Sequence, residues 1–477
     1  MESPQSGSEP PPERRVFCNR TLNLRAIQAV GFDMDYTLVH YDVMAWEARA
    51  YAHVRDRLRE QGHPVDGLQF DGAMFARGLI LDLELGNVVK ANRFGYVTQA
   101  AHGTQLLPHD VQRKSYSQVW VELSEPRWVF LNTLFSLSEA CIYGQMVELL
   151  DRGELDAGLD YRRVYTLIAG TMDAAHLEGR LKAEIIASPA SFVDLDPLLP
   201  QTLLDLKQAG KKLFLATNSE WHYTRAMMSY AFDRFLPGGD WRALFDLIVT
   251  QARKPAFFEG DAAFDVVVDD IGTVTTHEGP LAAGVVYRGG SAERVQSHFG
   301  VHGENILYVG DHVYADVHVS SRIRRWRTAL VLRELEDEVL HELAFAAEQR
   351  ELQSWMLAKE RLEHEQAMLR LALQRAEHGG PPPADVPGST HAIHERLRVL
   401  RGEVEAFDAK IAPLARRAGT LGHPHWGPSM RAGNDKSRLA RQIERYADVY
   451  TSRVSNLIHT TPFGYLRASR GSLPHDA

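Results

Sequence analysis

Residues 30–41 read VGFDMDYTLVHY, and the rest of the chain is arranged around this stretch. An apolar run ends at Phe32 and is followed by two aspartates, Asp33 and Asp35, with the hydroxyl of Thr37 two positions further on. The pattern predicts a buried strand that places carboxylates at its C-terminal end, where open parallel α/β sheets bind their ligands. Neighbouring carboxylates repel each other until a cation or a proton neutralises one of them. The stretch therefore predicts Mg²⁺ beside an acid–base pair, although acidic turns after strands are also common without either.

At 477 residues the chain can hold two or more domains, and its 44% of apolar residues are enough for a sizeable core, which indicates a globular protein. A formal charge of −9 provides no overall field that would attract a nucleic acid polymer. Two cysteines, Cys18 and Cys141, cannot build a disulfide framework and indicate free thiols in a reducing cytoplasm. Residues 1–15 are polar and proline-rich, which predicts a disordered tail without a signal peptide. No apolar run reaches the roughly 18 residues that a membrane span requires.

Further apolar runs predict strands at 212–216, 245–249, 306–309 and 328–332, with helical stretches between them. This alternation is typical of a doubly wound parallel sheet in the α/β class. We expect five parts, with these boundaries: a disordered tail (1–15), a catalytic core (16–42 and 200–332), a large inserted, mainly helical cap or substrate domain (43–199), a helical hairpin arm (333–420) and a C-terminal segment that packs on the core (421–477).

Polar side chains follow the strand ends in a fixed order. After the aspartates of the first strand come Thr217, Lys254, and finally Asp311 with Asp316. Taken singly, each has an ordinary structural role as a helix cap, a solvated lysine or a turn residue. Together they indicate a phosphate site: Asp33 and Asp311 offer hard oxygens to Mg²⁺, Thr217 donates to a phosphoryl oxygen, and Lys254 neutralises charge.

These four motifs resemble those of the haloacid dehalogenase phosphohydrolase superfamily. Their amino-acid sequences are similar to those of the cytosolic purine 5′-nucleotidase family and its bacterial relatives. They read FDMDYTL (32–38), ATNS (216–219), KPAFF (254–258) and VGDH (309–312). The likeness spans most of the chain and includes five further segments: RGL (77–79), LNTLF (131–135), VYRGG (286–290), RYAD (445–448) and PFGYL (462–466). The resemblance implies a haloacid dehalogenase-like core and the activity of a 5′-nucleotidase.

For the mechanism, the resemblance implies that Asp33 attacks phosphorus and forms an aspartyl-phosphate. Asp35 would protonate the leaving 5′-oxygen and then deprotonate the incoming water. Mg²⁺ would be held by Asp33, Asp311 and the backbone carbonyl of Asp35, while Asp316 would position the lysine instead of contacting the metal. The residues expected to bind the phosphate are Thr217, Asn218, Ser219 and Lys254.

The resemblance also implies that the cap binds the nucleoside. Phe135 falls on the position that stacks against the base, and Asp173, His176 and Lys182 fall on positions that line the base and ribose pocket. The chain departs from purine-specific relatives at Ala169, where they place an arginine, and this leaves the preferred base open.

Three functions remain open at this point. The first is hydrolysis of nucleoside monophosphates, with phosphate transfer to a second nucleoside as an additional activity. The second is hydrolysis of a non-nucleotide phosphate such as a sugar phosphate, which Ala169 motivates. The third is a scaffold that binds a partner through its helical arm, which predicts that at least one catalytic group is lost. The resemblance further implies a homo-oligomer.

Overall fold

The computed structural model describes residues 9–383, 386 and 389–471, except for the side chains of residues 175–178. Its main sheet has ten strands within the described chain, and seven of them are parallel. The parallel strands are β1 Ala29–Phe32, β2 Lys212–Ala216, β3 Leu247–Thr250, β4 Val286–Gly289, β5 Ile306–Gly310, β6 Arg327–Val331 and β7 Val449–Thr451.

The parallel strands lie in the order β7-β6-β5-β1-β2-β3-β4, so β1 is central. The chain builds the sheet outward from β1 on one side and then returns to β1 to build the other side. Three antiparallel strands extend the edges: Phe17–Cys18 pairs with β7, Phe264–Val267 pairs with β4, and Val274–Thr276 pairs with Phe264–Val267. The predicted doubly wound α/β fold is confirmed. A ligand site is expected where the strand order reverses, at the carboxyl end of β1.

The strands of the sheet centre end at the same level. Phe32, the last residue of β1, pairs with Leu215 of β2 on one side and with Val309 of β5 on the other. All four residues of β1 are buried, as expected for a parallel strand that is covered on both faces. Polar residues that immediately follow these three strands therefore meet at one edge of the sheet.

Helices alternate with the strands of the main sheet and also contribute to the segment inserted after β1. Within the described chain the α-helices are Val43–Glu60, His109–Tyr116, Leu137–Asp151, Tyr161–Glu178, Arg180–Ala187, Leu198–Gln208, Trp221–Phe232, Ala256–Glu259, Ala292–Phe299, Val319–Arg324, Leu335–Ala344, Ala346–Glu377, Thr390–Gly419 and Arg438–Tyr446. No helix among the residues described is long and apolar enough to cross a bilayer.

The inserted segment contains a sheet as well as helices. The sequence predicts a hairpin from residues 75–82 and 86–90, and the structure has one, in which Ile80–Asp82 pairs antiparallel with Asn87–Ala91. It belongs to a five-stranded sheet that also contains Trp128–Phe130, Val97–His102 and Gln105–Leu106. The sheet buries its own apolar cluster, which includes Ile80, Val89, Ala100, Tyr116 and Trp128.

The apolar spacing of the sequence predicts helices over 130–150 and 161–186, and the structure differs from both predictions in detail. The stretch 130–150 begins with the end of a strand and a 3₁₀ turn, Leu134–Ser136, and its α-helix starts only at Leu137. The stretch 161–186 is divided by Gly179, which adopts a left-handed φ of 69°. Glycine carries no Cβ penalty in that conformation and commonly ends a helix.

The described chain divides into two compact units. One contains the residues up to Glu336 and from Ser429 onward, and the other is Asp337–Pro428. In the second unit the two long helices Ala346–Glu377 and Thr390–Gly419 pack as a hairpin. Its apolar core consists of Leu369, Ala372, Ile393 and Leu400.

Candidate active site

Asp33 lies at the end of β1, with its backbone N–H donating to the Val309 carbonyl at 2.9 Å. A tight turn follows, in which the N–H groups of Thr37 and Leu38 both donate to the Met34 carbonyl. Tyr36 in this turn has a φ of 53°, a conformation that non-glycine residues rarely adopt. Such backbone strain persists only where the surrounding structure enforces it, and it concentrates at functional sites.

Lys254 joins two of the predicted carboxylates. Its Nζ lies 2.7 Å from Asp33 Oδ1 and 2.7 Å from Asp316 Oδ1, and it donates to the Tyr308 hydroxyl at 3.2 Å. The lysine side chain is only 3% exposed. Tyr308 in turn donates to the Ala216 carbonyl at 2.9 Å. One buried ammonium group therefore bridges two buried carboxylates and is fixed in place by a tyrosine.

The charges at this site shift one another's protonation. Burial, opposed by Lys254 and reinforced by Asp316, raises the pKa of Asp33 to about 7. Burial alone would lower the pKa of Lys254, but the two carboxylates at its Nζ raise it well above its usual value. The lysine is therefore charged at neutral pH, and the site holds more negative charge than this one cation offsets.

The loop that carries Lys254 is bound to the loop that follows β2. The Asn218 side chain accepts from the Lys254 N–H at 2.7 Å and donates to the Lys254 carbonyl at 3.2 Å. Gln251 and Arg253, just before the lysine, have φ values of 45° and 59°. Together with Tyr36, they are three of the five non-glycine residues with positive φ in the described chain. The Asn218 amide thus pairs with backbone and positions the lysine loop.

The other predicted phosphate ligands lie at the end of β2. Thr217 is buried, and its Oγ1 accepts from the Ser219 N–H at 3.1 Å. Ser219 Oγ donates to Asp35 Oδ2 at 2.7 Å. The hydroxyl-bearing loop after β2 therefore contacts the aspartate loop after β1 directly.

Asp311 and Asp316 follow β5, and a π-helical segment, Val313–His318, carries Asp316 back toward the strand end. Asp316 Oδ2 accepts from the His312 N–H at 3.1 Å while its Oδ1 contacts Lys254, so both of its oxygens are engaged. Glycine is required at position 310 by close approach, because a Cβ there would lie 2.5 Å from the Asp316 side chain. Single π-helical turns are common at functional sites.

Asp33, Asp311 and Asp316 are buried and bring one carboxylate oxygen each to within 4.8 Å of one another. Asp311 Oδ2 is a buried oxygen that accepts no hydrogen bond from the described residues. Burial, with the charges of Asp316 and Asp33, raises the pKa of Asp311 well above its usual value. Oxygen donors with excess negative charge suit a hard divalent cation such as Mg²⁺. The donor set fits such an ion between Asp33 and Asp311, because Asp316 is occupied.

The structure adds Arg77, to which the sequence analysis gave no role. This arginine, only 2% exposed at its side chain, donates to the backbone carbonyl of Asp311 and, at 2.9 Å, to that of Asn132. It also contacts Glu334 at 3.3 Å. The only signal in the sequence was its place in the RGL segment of the family resemblance. Arg77 connects the predicted metal ligand to the loop that leads to Phe135.

The predicted nucleoside residues are distributed unevenly. Phe135 is half-buried and lies edge-to-face against Tyr36, at 4.6 Å between ring centroids. Lys182 Nζ lies 2.6 Å from Glu220 and 3.4 Å from Ser219 Oγ. Both residues therefore adjoin the loops of the site. Asp173 is exposed on the helix Tyr161–Glu178, and the side chain of His176 lies outside the described residues.

Four loops at one edge of a parallel sheet bring together a carboxylate, a second carboxylate two residues later, a hydroxyl, a lysine and a further acidic pair. The arrangement and the chain order of these groups agree with the four sequence motifs, and their chemistry is that of a phosphatase-type hydrolase. The model of the 5′ nucleotidase family matches residues 16–477. The chain belongs to the 5′ nucleotidase family.

Comparison with known proteins gives a distant relative along nearly the full length. The chain is 27% identical over 476 residues to a 5′-nucleotidase domain-containing protein of Dictyostelium discoideum, covering 97% of this chain and 74% of the relative. Among solved structures, a predicted phosphoglycolate phosphatase from Haemophilus somnus matches with 13% identity over 64% of this chain and 85% of that chain, at a TM-score of 0.28. A haloacid dehalogenase-superfamily hydrolase from Geobacter sulfurreducens matches with 12% identity over 64% of this chain and 87% of that chain, at a TM-score of 0.24.

Proposed function

We propose that this protein is a Mg²⁺-dependent 5′-nucleotidase that hydrolyses nucleoside 5′-monophosphates, with a preference for purine bases, through an aspartyl-phosphate. The observation that carries the proposal is the buried acidic group of Asp33, Asp311 and Asp316, with Lys254 against Asp33 and Asp316, in a chain of this family. Phe135 beside the same loops supports an aromatic base as part of the substrate.

In this proposal Asp33 Oδ attacks phosphorus in line, and the bond to the 5′-oxygen breaks. Asp35 gives a proton to that oxygen and then takes one from the water that cleaves the aspartyl-phosphate. Lys254 and the loop 217–219 bind the phosphoryl oxygens. Asp33, Asp311 and the backbone carbonyl of Asp35 would hold Mg²⁺, whose charge allows a carboxylate to approach a dianionic ester.

For the substrate, we propose that the base stacks on Phe135, a contact worth about 1–3 kcal/mol, and that Asp173, His176 and Lys182 line the pocket for base and ribose. Transfer of the phosphoryl group to a second nucleoside would need only that a nucleoside hydroxyl replace water in the second step. We further propose a cytoplasmic homo-oligomer with neither a membrane nor a nucleic acid polymer as a partner.

The test is phosphate release from a panel of purine and pyrimidine nucleoside monophosphates, with Mg²⁺ and with EDTA. We expect activity that requires Mg²⁺ and that Asp33→Asn abolishes. The matched control is Asp66→Asn, at a carboxylate that is 79% exposed and should leave activity unchanged. Full activity of Asp33→Asn, or activity that persists in EDTA, would contradict the proposal.

A second candidate is a phosphatase of the same fold that acts on a sugar phosphate or another non-nucleotide ester. It is favoured by Ala169, where purine-specific relatives place an arginine. The same panel extended to sugar phosphates separates the two, because this candidate predicts turnover of those esters without turnover of nucleotides. A non-catalytic scaffold has less support, since every predicted catalytic residue is present in the sequence.

A further inference from the structure

The Asp35 carboxylate is held by two hydroxyl groups, one on each oxygen. Tyr41 donates to Oδ1 at 2.6 Å and Ser219 donates to Oδ2 at 2.7 Å. Tyr223 donates to the Tyr41 oxygen at 2.9 Å, so the two tyrosines form a chain that ends at the carboxylate. An ionised carboxylate can only accept hydrogen bonds, and this fixes the direction of the chain.

The position of the Tyr41 hydroxyl is set by its surroundings. Tyr41 is 1% exposed and lies on the short strand His40–Tyr41, where it pairs with Val193. Its ring packs against Trp46 at 4.5 Å and against Tyr36 at 5.3 Å between centroids. Burial and the nearby Asp35 raise the pKa of Tyr41 well above its usual value, so the phenol keeps its proton. Tyr41 is thus a fixed donor and not an acid.

We propose that Tyr41, supported by Tyr223, is a positioning residue that orients the Asp35 carboxyl group for proton transfer to the leaving oxygen. This inference rests on the proposed function, in which Asp35 is the acid and base. With one donor on each oxygen, the carboxyl plane cannot turn without losing a hydrogen bond. Each oxygen keeps a second lone pair, which can carry the transferred proton.

The proton balance leaves Tyr41 unchanged. In the first step the Asp35 proton moves to the 5′-oxygen as the bond from phosphorus to that oxygen breaks and the bond to Asp33 forms. In the second step Asp35 takes a proton from water while the water oxygen bonds to phosphorus and the aspartyl bond breaks. Misplacing a catalytic group by about 1 Å can cost about 100-fold in rate, so the Tyr41 hydroxyl affects steps in which Asp35 moves a proton.

The test compares two leaving groups in Tyr41→Phe. A nucleoside 5′-oxygen needs a proton to leave, whereas 4-nitrophenolate leaves without one. We expect kcat for adenosine 5′-monophosphate to fall about 10- to 100-fold with KM changed less than about 3-fold. With 4-nitrophenyl phosphate the first step needs no proton, so the rate constant for 4-nitrophenolate release under single-turnover conditions should change less than about 3-fold. Tyr51→Phe removes another buried hydroxyl, bonded to Gln145, and serves as the control.

An equal loss of rate with both leaving groups would show a merely structural role for Tyr41 and overturn the inference. An unchanged rate with the nucleotide would also overturn it. If Tyr41→Phe does not fold, as judged by circular dichroism, Tyr223→Phe carries the test, because it removes only the outer hydroxyl and should show a smaller loss with the same selectivity. Equal losses in that variant, or none, also overturn the inference. Failure of the proposed function is separate, since it would appear as a wild-type protein without nucleotide turnover; the comparison then uses an alkyl phosphate that the wild type hydrolyses.

Discussion

Replacing Lys254 with methionine tests the charge arrangement at the end of the sheet. The substitution keeps most of the side-chain volume and removes the ammonium group that lies 2.7 Å from Asp33 and 2.7 Å from Asp316. Asp311 belongs to the same acidic group, so two of the three buried carboxylates lose the cation that they contact. We expect a marked loss of folding stability when no divalent ion is present.

The magnitude follows from the burial of both partners. At an effective dielectric constant of about 20, each 2.7 Å contact has a gross Coulomb attraction of about 6 kcal/mol. Desolvation offsets most of this attraction, but removal of one partner leaves the other charge buried, which typically costs about 3–5 kcal/mol. A divalent cation bound at the same carboxylates replaces the missing charge. We therefore expect Mg²⁺ to recover at least about 1 kcal/mol of the loss in the variant.

The measurement is urea denaturation followed by tryptophan fluorescence, in EDTA and in Mg²⁺. Lys212→Met is the matched control, because Lys212 is 56% exposed and its nearest carboxylate, Asp246, lies 3.5 Å away. Its loss should stay below about 1 kcal/mol. A loss below about 1 kcal/mol for Lys254→Met in EDTA, or one that Mg²⁺ leaves unchanged, would refute this account of the site.

Three further predictions concern residues around the site. Burial raises the pKa of Glu47 from 4.5 to about 7, so its contribution to stability is complete below pH 4.5 and is lost as the pH rises through 7. Glu47→Gln should abolish about 3 kcal/mol of that decline when the free energy of unfolding in urea is compared at pH 4.5 and pH 8. The same pH dependence of that free energy in variant and wild type would contradict this prediction. Arg77→Gln removes the donor to the Asp311 carbonyl and should weaken Mg²⁺ binding about 10-fold in titration calorimetry, whereas an unchanged affinity would show that the contact does not orient the metal ligand. Gly310→Ala places a Cβ 2.5 Å from Asp316 and should cost about 1–3 kcal/mol in thermal unfolding together with most of the activity, a result that a fully active, equally stable variant would exclude.

The sequence predicted the centre of the sheet because its strands are continuous apolar runs, the pattern of strands covered on both faces. Five of the seven parallel strands were predicted. The strands Val286–Gly289 and Val449–Thr451 were not, since each is short and carries polar or half-buried residues that resemble loop sequence. Their strand conformation depends on neighbours that are distant in the chain, namely β3 and β6.

The contacts of the candidate site were likewise predicted only in part. The sequence placed Asp33, Lys254 and Asp316 after three strands of one parallel sheet, and the structure brings these side chains into contact. The sequence could not show that the Asn218 amide forms hydrogen bonds with the Lys254 backbone. Nor could it show that Tyr41 donates a hydrogen bond to Asp35, because both contacts depend on loop conformation. Their functional roles remain predictions until the variants are measured.

The strand Val449–Thr451 has a consequence for synthesis of the chain. It pairs with Arg327–Val331 and, on its other edge, with Phe17–Cys18. During synthesis, more than a hundred further residues must be added after Arg327–Val331 before the strand that pairs with its edge emerges from the ribosome. During that interval an unpaired parallel edge is open to wrong partners. Nascent chains stalled within the helical hairpin should therefore bind chaperones more strongly than chains released after residue 451.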